Sequence, residues 1–440
     1  MIDKILDSKY EAIELNKILN QLTDGTHYTP QYTEAGVRFL SVLNVNENKI
    51  CFDDTKFISD DEHAMLVKRC KPMPNDILLT KVGSIGRAAI IPNNAPDFSL
   101  FVSVALIKPN VKVVSPRYLC AYLNSIYAQA QFKRHLKGIG VPDLHLENIA
   151  TTLIIYPKDI AEQELICENY YSAFDNSTAK LRKADELLIG IDEFVRKAIG
   201  LPEENNVRPM FFATKISSNS AARIDPEFHN PFYQHRVQHI KNMNHDTLGN
   251  IIEFSNETWN QADDFIDTFP YIEISGVGIK TNEYELTNTA VSDAPSRAKM
   301  IVRDGDILVS TTRPHRGAIA TISCNKGYYI ASTGFCVLRK LKREDVSREY
   351  LQWVLLNDYV LQQFLQRSSG GNYPAIIQSE IKNVVIPIPD KSVQNEIVVE
   401  ATRCKNLANN LKEEAEAECV AAKKQFEKEL LGIGKLEKSR

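Results

Sequence analysis

The chain has 440 residues, 43 % hydrophobic and 25 % charged, the composition of a globular protein with room for two cores. Its 52 basic and 56 acidic residues leave a formal charge of −4, which argues against gripping nucleic acid by bulk charge alone. No apolar run approaches the ~20 residues that span a bilayer, and the start Met1-Ile2-Asp3-Lys4-Ile5-Leu6-Asp7 lacks the apolar core of a signal peptide, so no membrane partner and a cytoplasmic location are expected.

In chain order, Val37–Val42 alternates as a half-buried strand does. Ile77–Thr80 reads as a strand entered through an aspartate-containing turn at Asp76. Residues 116–137 predict a helix with Ser115 as N-cap and Pro116 in its first turn. A glycine-containing loop, Gly138–Pro142, ends it, and Leu153–Pro157 gives a last strand. From Ile160 to Ile199 there is no proline, and apolar or small residues recur every three or four positions. That seam includes Tyr170, Phe174, Ser177, Leu181, Ala184, Leu188, Ile191, Val195 and Ala198, about four heptads of a coiled coil. The second half repeats the order: a strand at Tyr271–Ile274, a strand at Ile307–Ser310 behind Asp306, a helix over 348–366, a loop at Ser369–Pro374, and a strand near Val384–Pro389. A second long helix runs from about Ser392 to Leu431. Its seam carries Ala401, Ala408, Ala415 and Ala422 at sevenfold spacing, with Leu411 and Phe426, and the alanines allow close approach of a bulkier helix.

The matching blocks keep a nearly fixed offset: Asp76 to Asp306 is 230, Ser115 to Ser347 is 232 and Leu153 to Val384 is 231. A single duplication this long means two domains of one fold, not a solenoid. The expected architecture is α+β: two tandem β-rich domains, each followed by a long helix, with the two helices paired antiparallel as a spacer. The boundaries are 1–158, 159–201, 202–390 and 391–434. The interface of the helix pair is assigned to Phe174, Leu181, Leu188, Val195, Ala408, Leu411, Ala415 and Ala422.

Chemistry-bearing motifs are sparse. There is no Cys-x-x-Cys pair among the eight cysteines, most of which read as small core residues. His235 and His239 share a helical face but lack the adjacent glutamate of a zinc-protease motif, so neither a metal site nor a catalytic site is assigned. Asp225-Pro226-Glu227-Phe228 departs from the Asp-Pro-Pro-Phe/Tyr core of amino-methyltransferases, and no glycine-rich cofactor strand precedes it. Glu380-Ile381-Lys382 fits a nuclease Glu-x-Lys, but its counterpart Glu147-Asn148-Ile149 lacks the lysine, so a structural role is favoured.

The whole chain resembles the DNA-specificity subunit of type I restriction–modification systems. The features that carry this are the duplication, the long helix after each half, and local phrases. These are Thr23-Asp24-Gly25-Thr26-His27-Tyr28-Thr29-Pro30 followed by Gly36–Val42, Gly83-Ser84-Ile85-Gly86 after a strand, and Glu162-Gln163 or Gln394-Asn395-Glu396 at the start of a long helix. The second half departs at Asn256–Asn260 and Thr311–Gly317. The resemblance implies a non-catalytic scaffold that binds no cofactor itself. Each target-recognition domain would read half of a bipartite, asymmetric site in double-stranded DNA. The helices would set the spacing and dock two DNA adenine methyltransferase subunits, which carry S-adenosylmethionine, and motor–nuclease subunits would complete the restriction enzyme.

Base readout needs donors and acceptors on accessible loops, and phosphate contact needs positive charge. The first-half candidates are Thr26, His27, Tyr28, Lys81, Ser84, Arg87, Lys133, Arg134 and Lys137. The second-half candidates are Trp259, Asn260, Thr311, Thr312, Arg313, His315, Arg316, Arg367, Ser368 and Asn372, with Arg313 and Arg316 foremost for guanine or phosphate. Two other readings compete. One is a self-contained restriction or modification enzyme, which methyl transfer or cleavage by the pure chain would reveal. The other is a coiled-coil scaffold without sequence preference, which DNA-binding selection would reveal.

Overall fold

The computed structural model describes all residues except 1–4, 6, 137–141, 204–206, 215–222, 224, 261–264, 266, 325–326 and 433–440. The chain forms two compact units. The first comprises residues 1–181 and 412–440, the second residues 182–411. Each unit therefore contains one β-rich repeat and one half of each long helix.

In the first unit the main sheet consists of β1 (Leu19–Asp24), β2 (Ile77–Thr80), β3 (Ala88–Ile90) and β4 (Val104–Pro109), in the order β1-β4-β2-β3. All its pairings are antiparallel. A smaller sheet sets Val37–Leu40 between Lys56–Ile58 (antiparallel) and Phe98–Leu100 (parallel). Helix α1 (Pro116–Asn124) and helix α2 (Ile126–His135) follow, and then the first long helix, α3 (Ile160–Ile199). β2 is buried along its whole length because both faces are covered, which explains why it reads as a continuous apolar run.

The second unit repeats this. Helix α4 (Pro231–Lys241) precedes β5 (Ile252–Ser255), β6 (Ile307–Ser310), β7 (Ile319–Thr321) and β8 (Phe335–Leu341), ordered β5-β8-β6-β7. Its smaller sheet again mixes one parallel pairing, Thr268–Ile272 with Tyr329–Ser332, with antiparallel ones. Helices α5 (Arg348–Leu355), α6 (Asp358–Gln366) and α7 (Lys391–Leu430) complete it.

The duplication is visible in buried side-chain ties as well as in topology. Gln163 Oε1 accepts from Ser115 N at 2.7 Å, and Gln394 Oε1 accepts from Ser347 N at 3.0 Å. Tyr118 donates to Ile155 O and Tyr350 to Pro387 O, at 2.7 and 2.8 Å. Asp76 accepts from Met73 N and Asp306 from Arg303 N, both at 2.8 Å, so the paired aspartates close turns as expected. Buried polar groups need such partners, so these residues recur where core residues drift.

Two expectations are corrected. The single helices over 116–137 and 348–366 are each broken in two. Ser125 is extended at φ −74°, ψ 161°, and Asn357, at φ −70°, ψ 142°, caps α6 by accepting from Tyr359 N. Leu181, expected on the long-helix seam, keeps 42 % of its surface exposed. Its seam neighbours Ser177 and Ala184 are small and buried, and the larger leucine side chain stays at the surface.

The rest of the seam packs. Within the first unit Cys419 lies against Ala173 O, Asn176 bonds Glu418 at 3.1 Å and Lys180 pairs with Glu414 at 3.2 Å, a register that falls in α7 as it rises in α3. Tyr170 and Phe426 stack at 5.3 Å, with Phe174 beside them. In the second unit Ile191 and Val195 share a core with Ile397, Ala401 and Cys404, and Leu188 packs on it. Ala408 and Ala415 are buried, while Leu411 and Ala422 are half-buried. Six of the eight cysteines are buried and all are free.

Each unit also caps a helix with a carboxylate from a long helix. Glu427 of α7 accepts from Ile126 N at 2.7 Å, and Asp192 of α3 accepts from Asp358 N at 2.7 Å. Burial pushes both carboxyls above their ordinary values, outweighing the hydrogen bonds that pull them down. A carboxyl raised in the folded state binds more protons folded than unfolded. Its contribution to stability is therefore present at low pH and lost as pH rises through the window above the usual aspartate value of about 4. Asp192→Asn keeps the accepting oxygen and removes the titration. It is expected to flatten the decline in stability of the second unit across that window, measured by urea unfolding at stepped pH. An unchanged pH slope would refute this.

Candidate nucleic-acid interface

In the second unit two loops are fastened side by side at the end of β6. Thr311 N donates to Gly334 O at 2.8 Å, and Thr311 O accepts from Ile376 N at 2.9 Å. Thr312 bridges Ala375, and Arg313 N donates to Pro374 O at 2.7 Å. Ser369 and Ala375 exchange two backbone bonds of 2.8 Å, closing the loop that carries Asn372 and Tyr373. Pro314–Arg316 forms a tight turn between two left-handed residues, Arg313 (φ 48°) and Gly317 (φ 77°). Lys280, also left-handed at φ 58°, donates its N–H to Gly317 O at 2.9 Å. A Cβ on Gly317 would lie 3.0 Å from Lys280 Cγ, so the glycine gives both conformational freedom and room.

The charge here is positive. His315 is held below its usual value, first by burial and then by Arg316, Arg208 and Arg313, so it is neutral near pH 7 in the field of three guanidiniums. Thr312, Arg316 and Asn372 are exposed. The Arg313 guanidinium sits 4.3 Å over the ring of Tyr373, itself 70 % exposed.

The first unit builds the same frame with different occupants. Leu144 N donates to Lys81 O at 2.8 Å and Val82 bridges Asp143, matching the Thr311 and Thr312 contacts. Ser84 and Arg87 are exposed on the turn, and Arg87 donates to Asn46 Oδ1 at 2.9 Å. His27 is exposed and 3.2 Å from Asp24, and Tyr28 is exposed beside it. Lys133 and Arg134 are exposed in the last turn of α2, and Lys137 lies outside the described residues. Gly25 is obligatory, because a Cβ there would meet Leu100 O at 2.0 Å.

Burial withdraws three of the expected contacts, and an ion pair takes up a fourth. Lys81 is buried between Asp24 and Asp143, at 3.6 and 3.4 Å. Thr26 is buried in a parallel bridge with Phe101. Trp259 is buried in an aromatic cluster with Phe265 and Phe269, while Asn260 beside it is exposed. Arg367 is paired with Glu380 at 2.9 Å and stacked on Phe228. Ser368 is half-buried and donates to Phe364 O, and Thr311 donates to Gly334 O, so both hydroxyls serve the loops themselves.

Sequence reasoning missed Lys280 and Tyr373. The tyrosine had a usable signal, an aromatic residue before proline in the glycine-rich run Ser369–Pro374. Lys280 had none, since its place depends on a contact 37 residues away with Gly317.

Residues 241–418 match the family model for the type I restriction modification DNA specificity domain. Residues 241–418 thus carry the likeness to this specificity domain, and parts of the chain are similar to two specificity subunits. The matched stretch holds most of the second repeat and the first two-thirds of α7. The EcoBI specificity subunit of Escherichia coli is 26 % identical over 155 residues, 34 % of this chain and 32 % of that protein. The HindI specificity subunit of Haemophilus influenzae is 30 % identical over 116 residues, 26 % of this chain and 25 % of that protein. These alignments span about a third and a quarter of those relatives' own length. A solved structure described as the basis of complex assembly and conformational transition of the type I R-M system shares the fold. Its TM-score is 0.50 and its identity 16 %, over 97 % of this chain and 98 % of that one. Among the described residues no helix is long and apolar enough to cross a membrane.

Proposed function

We propose that this chain is the non-catalytic DNA-reading subunit of a type I restriction–modification complex. Each repeat reads one half of a bipartite site through the loops at the end of its main sheet. Methyltransferase subunits, loaded with S-adenosylmethionine, dock on the chain, and a motor–nuclease subunit completes the restriction enzyme. The observation that carries this reading is one frame built twice with different side chains: exposed Ser84 and Arg87 in one copy, exposed Thr312, Arg316 and Asn372 with half-buried Arg313 in the other. Different half-sites require that combination, because backbone contacts position the protein while side chains specify the base. The formal charge of −4 supports dependence on partner subunits for the remaining phosphate contacts.

Replacing residues 311–316 by a loop of equal length and different sequence is expected to change one half of the recognised site and leave the other half intact. Methylation at the original second half-site should fall at least roughly tenfold, as loss of one good base contact implies. Sequencing methylated adenines in cells carrying the variant and its methyltransferase partner gives the readout. A change in both halves would refute the modular assignment. Methyl transfer by the purified chain alone would refute the non-catalytic one.

A further inference from the structure

Five described non-glycine residues have positive φ: Asn48, Asn75, Asn282, Lys280 and Arg313. Asparagine tolerates that region; lysine and arginine do not favour it. Both of these cations flank the turn at 314–316, and strain of this kind persists where the surroundings enforce it, often at functional sites. The repeat sharpens the point. The position equivalent to Arg313 in the first unit is Gly83, left-handed at φ 71°. The frame thus accepts glycine there, yet the second unit carries arginine. Among the described residues no carboxylate pairs with Arg313, whereas Arg303, Arg339, Arg343, Arg367 and Arg403 are each in ion pairs. Its visible side-chain neighbour is the exposed ring of Tyr373, 4.3 Å away, on a loop pinned to it through Pro374.

We propose that Tyr373 and Arg313 form one specificity-determining unit. The ring holds the guanidinium plane so that Arg313 makes a two-pronged contact with a base edge in the second half-site. Guanine fits best, because its O6 and N7 offer two acceptors on one edge. Tyr373 is the positioning residue and Arg313 the contacting one. This rests on the DNA-reading function proposed above.

The test is selection from a randomised DNA duplex pool by the complex of this chain with its methyltransferase partner, using wild type, Arg313→Gly, Tyr373→Ala and Tyr373→Phe. Arg313→Gly should leave the urea midpoint of the second unit unchanged or raise it, since glycine suits the backbone. It should lower discrimination at one base position of the second half-site by roughly 10- to 100-fold. Tyr373→Ala should weaken discrimination at the same position by a smaller factor, with the first half-site unaffected. Tyr373→Phe should restore it, because the ring is kept. Wild-type discrimination in both Arg313→Gly and Tyr373→Ala would overturn the proposal while leaving the DNA-reading function in place. A Tyr373→Phe variant as impaired as Tyr373→Ala would overturn the positioning role. A wild-type complex with no sequence preference would sink the DNA-reading function itself.

Discussion

Replacing Arg339 by alanine is expected to cost the second unit about 3 kcal/mol of folding free energy. Asp306 is buried at the turn before β6, with a backbone bond from Arg303 N at 2.8 Å. Arg339 supplies the charge that makes this burial tolerable, through Nε at 3.1 Å and a second guanidinium nitrogen at 2.9 Å. The same guanidinium donates to Glu257 at 2.5 Å and to Ile301 O at 3.0 Å, tying the two sheets of the unit together. Removing it leaves a buried carboxylate with one donor, and that uncompensated charge dominates the cost. The repeat provides an internal control. Its equivalent pair is Lys108 with Asp76, where one ammonium makes one contact and burial already holds Asp76 above its ordinary value. Asp76 can take up a proton when its lysine is lost, so Lys108→Ala should cost less, about 1–2 kcal/mol. Both tryptophans of the chain, Trp259 and Trp353, are buried in the second unit, so their fluorescence during urea unfolding follows that unit alone. A loss below about 1 kcal/mol for Arg339→Ala would show that the ion pair is not what fixes this turn.

Local patterns carried the elements well, because periodicity and caps are local. Ile77–Thr80, Ile307–Ser310 and the whole of Ile160–Ile199 have the bounds that the sequence suggests. The breaks at Ser125 and Asn357 were concealed because both residues are also tolerated within a helix. What makes them breaks is a distant carboxylate, Glu427 or Asp192, waiting at the new N-terminus. The interface was legible only as a set of loops. Lys81 and Arg367 have the residue type expected of a DNA contact, but partners 57 to 62 residues away for Lys81, and Glu380 for Arg367, consume them. Tyr373 became a candidate only through Arg313, a contact between loops 60 residues apart.

Lengthening both long helices by four residues should widen the unread gap of the DNA site by one or two base pairs and leave both half-sites unchanged. The structure says where to insert. Ala198, at the end of α3, packs on the second unit's core beside Val195 and Ile199, and an insertion there would turn Ile199 off its packing face. The junctions between the units lie instead at Leu181–Arg182 in α3 and Leu411–Lys412 in α7. Four residues add about 6 Å at 1.5 Å per residue and about 40° of rotation beyond a full turn at 3.6 residues per turn. One base pair adds about 3.4 Å, and about 34–36° at 10–10.5 base pairs per turn. The rotation matches one base pair and the translation lies near two, both in the right-handed sense, so either gap can be met with little twisting of the DNA. Inserting in one helix alone would put the alanine seam of α7 out of register with α3 and should instead lower stability. Methylome sequencing of the double insertion gives the reading: an active variant with an unaltered gap would mean that something other than the helix pair sets the spacing.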